Sequence, residues 1–408
     1  MSDFLLQGGR IFDPASGLDA VGDVLVRDRS IAAVGEVAQV PSGAERVDAR
    51  GLWVLPGLMD MHVHLREPGQ EHKETIASGT RAAACGGFTT VVCEPNTSPP
   101  CDTPAAVVHV LDLAEREAPV HVLPKCTVTV GRAGEEVADL SALRAAGAVA
   151  ASDDGDSVSR SEVMRAAMQA AKEAGLPLTL HVDGPDMMER DIQLAAEFDW
   201  RVHFSHVSLA AEAEIIARAR ACGLRVTGEV TPHHLSLIRN NTPGHDSNFK
   251  MNPPLASPAD RAAVRSALAS GVLSVIASDH APHTSEEKSL PYEEAPPGVI
   301  GLETTLGVVW TYFVQGERSQ AEAAVLALAA GPAEVLDLDR PTLLEGAPAD
   351  LVLFDPDHVW FVEPDEFESK GRNCPFAGMK LRGRTIATMV GGRFVMREGS
   401  VLETGVTE

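Results

Sequence analysis

At 408 residues the chain is too long for one ordinary small domain and points to a large domain with a smaller one beside it. Its net charge of −24 argues against nucleic acid and anionic membrane surfaces, which would repel it, yet leaves room for a locally positive pocket. Six cysteines without C-x-x-C spacing, no secretory leader over residues 1–10 and no apolar run of bilayer length read as a reduced, soluble, cytoplasmic protein.

In chain order, residues 4–50 are short alternating runs broken by turn residues such as Gly8-Gly9, Asp13-Pro14 and Pro41-Ser42. From residue 52 a different rhythm begins, of short apolar runs alternating with Ala-rich amphipathic stretches. Strands are expected at 53–63, 89–94, 121–129, 147–152, 177–182, 201–206, 225–231 and 273–278. Helices are expected between them at 72–86, 104–118, 160–174, 187–198, 209–222 and 258–270. Eight strands alternating with helices predict an α/β chain with a (β/α)8 TIM-like barrel over 52–345. No Gly-rich phosphate loop opens a helix, which counts against a doubly wound nucleotide-binding sheet. Residues 349–355 and 383–396 return to short alternating runs. Neither end can close a core alone, so 1–51 and 346–408 are expected to form one small β-sandwich module together.

The C-terminal ends of the expected barrel strands carry a recurring chemistry. The first ends in His62 and His64, which alternation places on one face. The fourth ends in Asp153-Asp154-Gly155, the fifth in His181, the sixth in His206 and the eighth in Asp279-His280-Ala281-Pro282-His283. Singly, the acidic pair reads as a turn and the lone histidines as core residues. Together they converge on the barrel face that carries active sites. Four imidazoles and two carboxylates suit one or two zinc ions, two being favoured, with a carboxylate such as Asp154 bridging. Zinc makes its bound water acidic, and Asp279 is placed to move that proton as general base and then acid, giving metal-assisted C–N hydrolysis.

Arg66, just past His64, is a carboxylate clamp for an anionic small substrate. Asn96, Asn252 and His283 lie beyond other strand ends and add hydrogen-bonding groups. His203 reads as a core residue and His72 as a solvated helix start. His233 and His234 are expected to face opposite ways and are not counted as ligands. Residues 284–297 read as a mobile loop serving as a lid.

These residues sit in stretches that resemble the amidohydrolase superfamily and, within it, the class I dihydroorotases. The stretches are Pro56–Gly69, Gly86–Thr90, Pro95–Thr97, Ser152–Gly155, Glu229–Leu235, Lys250–Leu255, Ser278–His283 and Ser369–Phe376. The resemblance implies that His62, His64 and Asp279 hold a first zinc, that Asp154 bridges, and that His181 and His206 hold a second. It also implies that Arg66, Asn96 and His283 grip a carboxylate, with Asn252 nearby. The activity implied is interconversion of N-carbamoyl-L-aspartate and L-dihydroorotate, in a homodimer. A hydantoinase- or allantoinase-like cyclic amidase is the neighbouring reading; Arg66 and the last motif weigh against it. A non-catalytic partner of aspartate transcarbamoylase is a reading of another class, and such a protein is expected to have lost ligands that are all present here. The chain departs from the class in a short segment between His181 and His206, in Pro297 before Gly298, in Glu94 where an apolar residue is usual, and in the neighbouring Lys125.

Overall fold

The computed structural model describes residues 3–241 and 244–402. Eight short parallel segments form the barrel ring. Leu58–Val63, Phe88–Cys93 and His121–Pro124 make one run, and Leu178–Leu180, Val202–Phe204, Val226–Val230 and Val275–Ile276 make another. Isolated bridges complete the circle: Ala151 pairs with both Cys126 and Leu178, and Val63 pairs with His280. The fourth position is therefore a brief extended stretch ending at Ala151, held by Val149 N–H to Pro124 and Thr179 N–H to Ala151, rather than the full strand expected at 147–152. The strand expected at 121–129 likewise stops at Pro124.

The run expected as one strand over 53–63 is two. Trp53–Pro56 belongs to a separate sheet and Leu58–Val63 to the barrel. The break falls at Gly57, where a β-carbon would lie 2.2 Å from the Thr89 hydroxyl, so a side chain has no room at the crossing.

Helices cover the ring where the apolar period placed them, within a few residues at each end, and their starts are chemically marked. Thr75 and Ser257 both close capping boxes, and Pro258 opens its helix at a position whose N–H has no helical partner anyway. Beyond the last barrel strand, Arg318–Leu328 and Ala330–Leu336 add two helices that the sequence pattern left unassigned.

Both ends of the chain contribute to one nine-stranded sheet, in the order Ser400–Val401, Arg393–Arg397, Lys380–Val390, Leu351–Phe361, Trp53–Pro56, Phe4–Asp13, Leu18–Arg27, Ser30–Gly35, with Glu45–Asp48 also pairing with Phe4–Asp13. The Phe4 and Phe394 strands are four places apart in this order, about 19 Å if the sheet were flat. Their rings nevertheless meet edge to face at 5.0 Å, and Arg397 pairs with Glu45 at 2.7 Å. The sheet must therefore curl onto itself as a sandwich around Leu6, Val24, Ile31, Leu351, Leu353 and Met389. An aromatic chain of Phe12, Trp53, Trp310 and Phe354, with centroids 4.7–5.0 Å apart, fastens the sandwich to the barrel. Each such contact is worth about 0.5–1.5 kcal/mol beyond its buried area. Among the described residues no helix is long and apolar enough to cross a membrane.

Candidate active site

Strand alternation brings Asp60, His62 and His64 to one side of the first barrel strand. Asp60 accepts from the backbone N–H of His62 at 3.1 Å and of Ser278 at 3.1 Å, so it ties the first strand to the segment carrying Asp279. His62 donates from Nδ1 to Glu229 Oε1 at 2.6 Å, and His64 donates from Nδ1 to Asn96 Oδ1 at 2.9 Å. Both rings therefore keep Nε2 for the centre of the site. Glu229 also accepts from His203 Nε2 at 3.1 Å and from the His206 N–H at 3.2 Å.

Two groups of side chains are spaced to hold a metal: His62, His64 and Asp154, and Asp154, His181 and His206. Two atoms bound to one tetrahedral zinc at about 2.1 Å lie about 3.4 Å apart. The Asp154 carboxylate stands 3.3 Å from His62 Nε2, 3.5 Å from His64 Nε2, 3.4 Å from His206 Nε2 and 3.7 Å from His181 Nδ1. Asp279 Oδ1 is 3.2 Å from His64 Nε2 and 3.6 Å from His62 Nε2. His62 Nε2 and Asp154 Oδ1 are buried with no hydrogen-bond partner. Unmatched donor atoms at ligand-to-ligand spacing are what a divalent cation requires, and the residues fit one. Asp153, the other acidic candidate, is spent on the backbone N–H groups of Val128 and Thr129, at 2.8 and 3.2 Å.

Burial alone would push Asp279 up, but the His64 hydrogen bond and the charges of His62 and His64 hold it at about 2. It is a carboxylate at neutral pH. Burial would likewise depress His62, and the carboxylates of Asp154, Glu229 and Glu94 override that and raise it.

A cavity of about 220 Å³ opens onto this cluster, lined by His64, Arg66, Asn96, Asp154, His181, Asn252, Asp279 and His283 among others. Arg66 is 8 % exposed, donates from Nε to the Pro282 carbonyl at 3.2 Å, and brings a guanidinium nitrogen 3.5 Å from His283 Nε2. Burial lowers it only to about 10, so it stays cationic at neutral pH. Asn96 thus does two things: its oxygen holds His64, and its amide nitrogen remains on the cavity side near Gly155. Asn252 is exposed at the mouth, with Nδ2 3.4 Å from His181 Nε2.

One finding differs from the sequence expectation. His233 and His234 do not face apart: a short helix begins at Pro232, and their buried rings sit 4.6 Å from one another. Consecutive helical residues diverge by about 100°, not the 180° of a strand. Residues 284–297, expected as a mobile loop, carry a short helix at Ser285–Lys288 and several tethers. Lys288 Nζ donates to the Pro296 and Gly298 carbonyls, both at 3.0 Å, Lys250 Nζ reaches Tyr292 and Glu293 at 2.6 and 3.1 Å, and Lys73 pairs with Glu287 at 2.8 Å. Pro297 contributes a carbonyl, which accepts from His283 Nε2 at 3.0 Å.

Sequence reasoning also missed two supports. Glu229 was quoted only inside a motif, although a lone glutamate in the otherwise neutral strand Val226–Val230 is itself a signal. Asn373, in the Ser369–Phe376 stretch, accepts from the His283 N–H at 3.2 Å and donates to Ala281 and Gly298 carbonyls, both at 3.0 Å, locking the wall beside Arg66.

Behind that wall Glu303 accepts from the Glu368 and Ser369 N–H groups, and burial lifts its pKa to about 8 from an ordinary 4.5. A raised folded-state pKa stabilises the fold fully below the unfolded value, and that contribution is lost as pH rises through the folded one. Glu303→Gln keeps one carbonyl acceptor where the glutamate offers a separate oxygen to each N–H group, and it removes the titration. The melting temperature of the unaltered chain should therefore fall relative to the variant between about pH 5 and pH 9. Parallel melting curves across that range would show that Glu303 carries no such linkage.

Fold and site together define a barrel enzyme built to hold divalent metal. The sequence profile of the amidohydrolase family matches residues 53–395. Similar full-length proteins named dihydroorotase come from Pelotomaculum thermopropionicum, 44 % identical with 97 % of this chain and 98 % of that one covered, and from Geobacter metallireducens, 40 % identical with 97 % and 100 % covered. Among solved structures, the L-hydantoinase (dihydropyrimidinase) of Arthrobacter aurescens superposes with a TM-score of 0.90 at 24 % identity over 99 % of this chain and 98 % of that one, a likeness of fold. The chain belongs to the amidohydrolase family.

Proposed function

We propose that this chain is a zinc-dependent dihydroorotase, a cyclic amidohydrolase that interconverts N-carbamoyl-L-aspartate and L-dihydroorotate in pyrimidine biosynthesis. The observation that carries the reading is one small cavity joining two metal-type ligand groups to a buried, cationic Arg66. That pairing matches a cyclic amide bearing a carboxylate, and relatives named dihydroorotase at 40–44 % identity over nearly the whole chain support it.

His62, His64 and Asp279 would hold a first zinc, Asp154 would bridge, and His181 and His206 would hold a second. Bound zinc supplies a water acidic enough to ionise near neutral pH and polarises the carbonyl under attack. Asp279 accepts the proton of the attacking water at its carboxylate and returns it to the departing ring nitrogen. Arg66, with His283, Asn96 and Asn252, grips the substrate carboxylate and so orients the ring. Glu229 fixes the His62 tautomer that leaves Nε2 free. We further propose a cytoplasmic homodimer as the working form, which sedimentation of the zinc-loaded protein would check.

The test is ring opening of L-dihydroorotate by purified protein with zinc measured on the same sample. Zinc-loaded protein that opens dihydrouracil or hydantoin but not L-dihydroorotate would move the function to rings without a carboxylate. Glu229→Gln is expected to weaken zinc affinity about 10- to 100-fold, because the ring it orients loses a charged acceptor. Competition with a chromophoric chelator measures this, and unchanged affinity would remove Glu229 from the site's support.

A further inference from the structure

One feature beside the site takes no part in the steps above. Glu94 and Lys125 follow directly on the second and third barrel strands, and both side chains are fully buried. The ladder sets them in register, since Glu94 N–H donates to the Val63 carbonyl at 2.9 Å and Lys125 N–H to the Cys93 carbonyl at 3.0 Å. The Lys125 ammonium donates to Glu94 Oε1. That same oxygen lies 3.8 Å from His62 Nε2, while Glu94 Oε2 is buried with no partner at all. Hiding a charge pair from water costs more than packing apolar side chains of the same volume, so the pair is poor economy as a structural element. A carboxylate that keeps one oxygen unmatched, and whose lysine-held oxygen stands beside an imidazole nitrogen that is itself unmatched, instead has the chemistry of a cation ligand. The Oε1–Nε2 gap is only a little wider than the 3.3–3.7 Å that separates the other donor pairs around His62 and Asp154. Lys125 offsets the charge of Glu94 and holds it in place.

We propose that Glu94, steered by Lys125, is a further carboxylate donor for a divalent cation on the His62 side of the metal centre. The inference rests on the metal-dependent reading above and adds a residue that reading does not need. It also separates the two lysine-linked carboxylates near the site by role: Glu287 pins a loop, whereas Glu94 lies beside His62.

The direct test is a crystal structure of the unaltered chain loaded with zinc. A Glu94 oxygen within about 2.3 Å of an ion supports the proposal, and one beyond about 3 Å overturns it. An independent test uses the doubly apolar variant Glu94→Met/Lys125→Met, which removes the charge pair as a unit, titrated with cobalt(II) and read by visible absorption. The expected result is at least about tenfold weaker cobalt binding with an altered spectrum. Wild-type affinity and spectrum in the folded double variant would make the pair purely structural and overturn the proposal. Failure of the unaltered chain to bind zinc or cobalt would instead remove the metal-dependent reading itself, and this inference with it.

Discussion

Replacing Asp279 by asparagine is expected to lower turnover of L-dihydroorotate about a thousand- to ten-thousand-fold. The carboxylate is held ionised at about 2 by its hydrogen bond to His64 and by the charges of His62 and His64. It can therefore take a proton at any pH at which the enzyme would work. An amide of nearly the same shape fills the same space but can neither accept that proton nor return it to the leaving nitrogen. The loss should fall on kcat. Zinc content of the same preparation separates the two jobs assigned to this residue. Full zinc with lost turnover isolates the proton transfer, whereas lost zinc points to ligation. Near-wild-type turnover with full zinc would remove Asp279 as the base.

Arg66→Met should act on binding rather than chemistry. The guanidinium is 8 % exposed, stays cationic and stands on the cavity wall beside His283. A two-pronged charged contact with the substrate carboxylate is worth roughly 3 kcal/mol in such a setting, so KM for L-dihydroorotate should rise about 100-fold with a smaller change in kcat. Dihydrouracil, the same ring without the carboxylate, provides the internal control, because its rate should not fall. An equal loss for both compounds would mean that Arg66 supports the wall of the site rather than reading the substrate.

Much of this site was legible because its parts lie where sequence periodicity is strongest. His62 and His64 are two apart on a buried strand, and Asp279 and His283 follow the last apolar run, so their placement needed only strand alternation and the polarity of a parallel barrel. The residues that aim them were harder to see. Glu229 serves His62, His203 and His206, partners 23 to 167 positions away in sequence, and no local pattern links them. Asn373 works across about 90 residues on His283 and Ala281. The orientation of His233 and His234 failed for a local reason: the strand period was carried past Pro232, where the backbone turns helical. The fourth barrel position was overestimated in length because an Ala- and Val-rich run looks the same whether or not its neighbours pair with it throughout. The contacts of residues 284–297 were not legible, since they come from Lys250 and Lys73 outside the segment as well as Lys288 within it.

The shared sheet has a consequence for how the protein is made. Trp53–Pro56 pairs on one side with Phe4–Asp13 and on the other with Leu351–Phe361, which is synthesised about 300 residues later. Until that segment leaves the ribosome, the earlier strands present an open edge of the kind that recruits strands from other chains. The barrel is being assembled directly downstream throughout that interval. Yield in the cell should thus depend on how quickly the last strands arrive and on chaperone cover for the waiting edge, even in variants whose finished fold is fully stable.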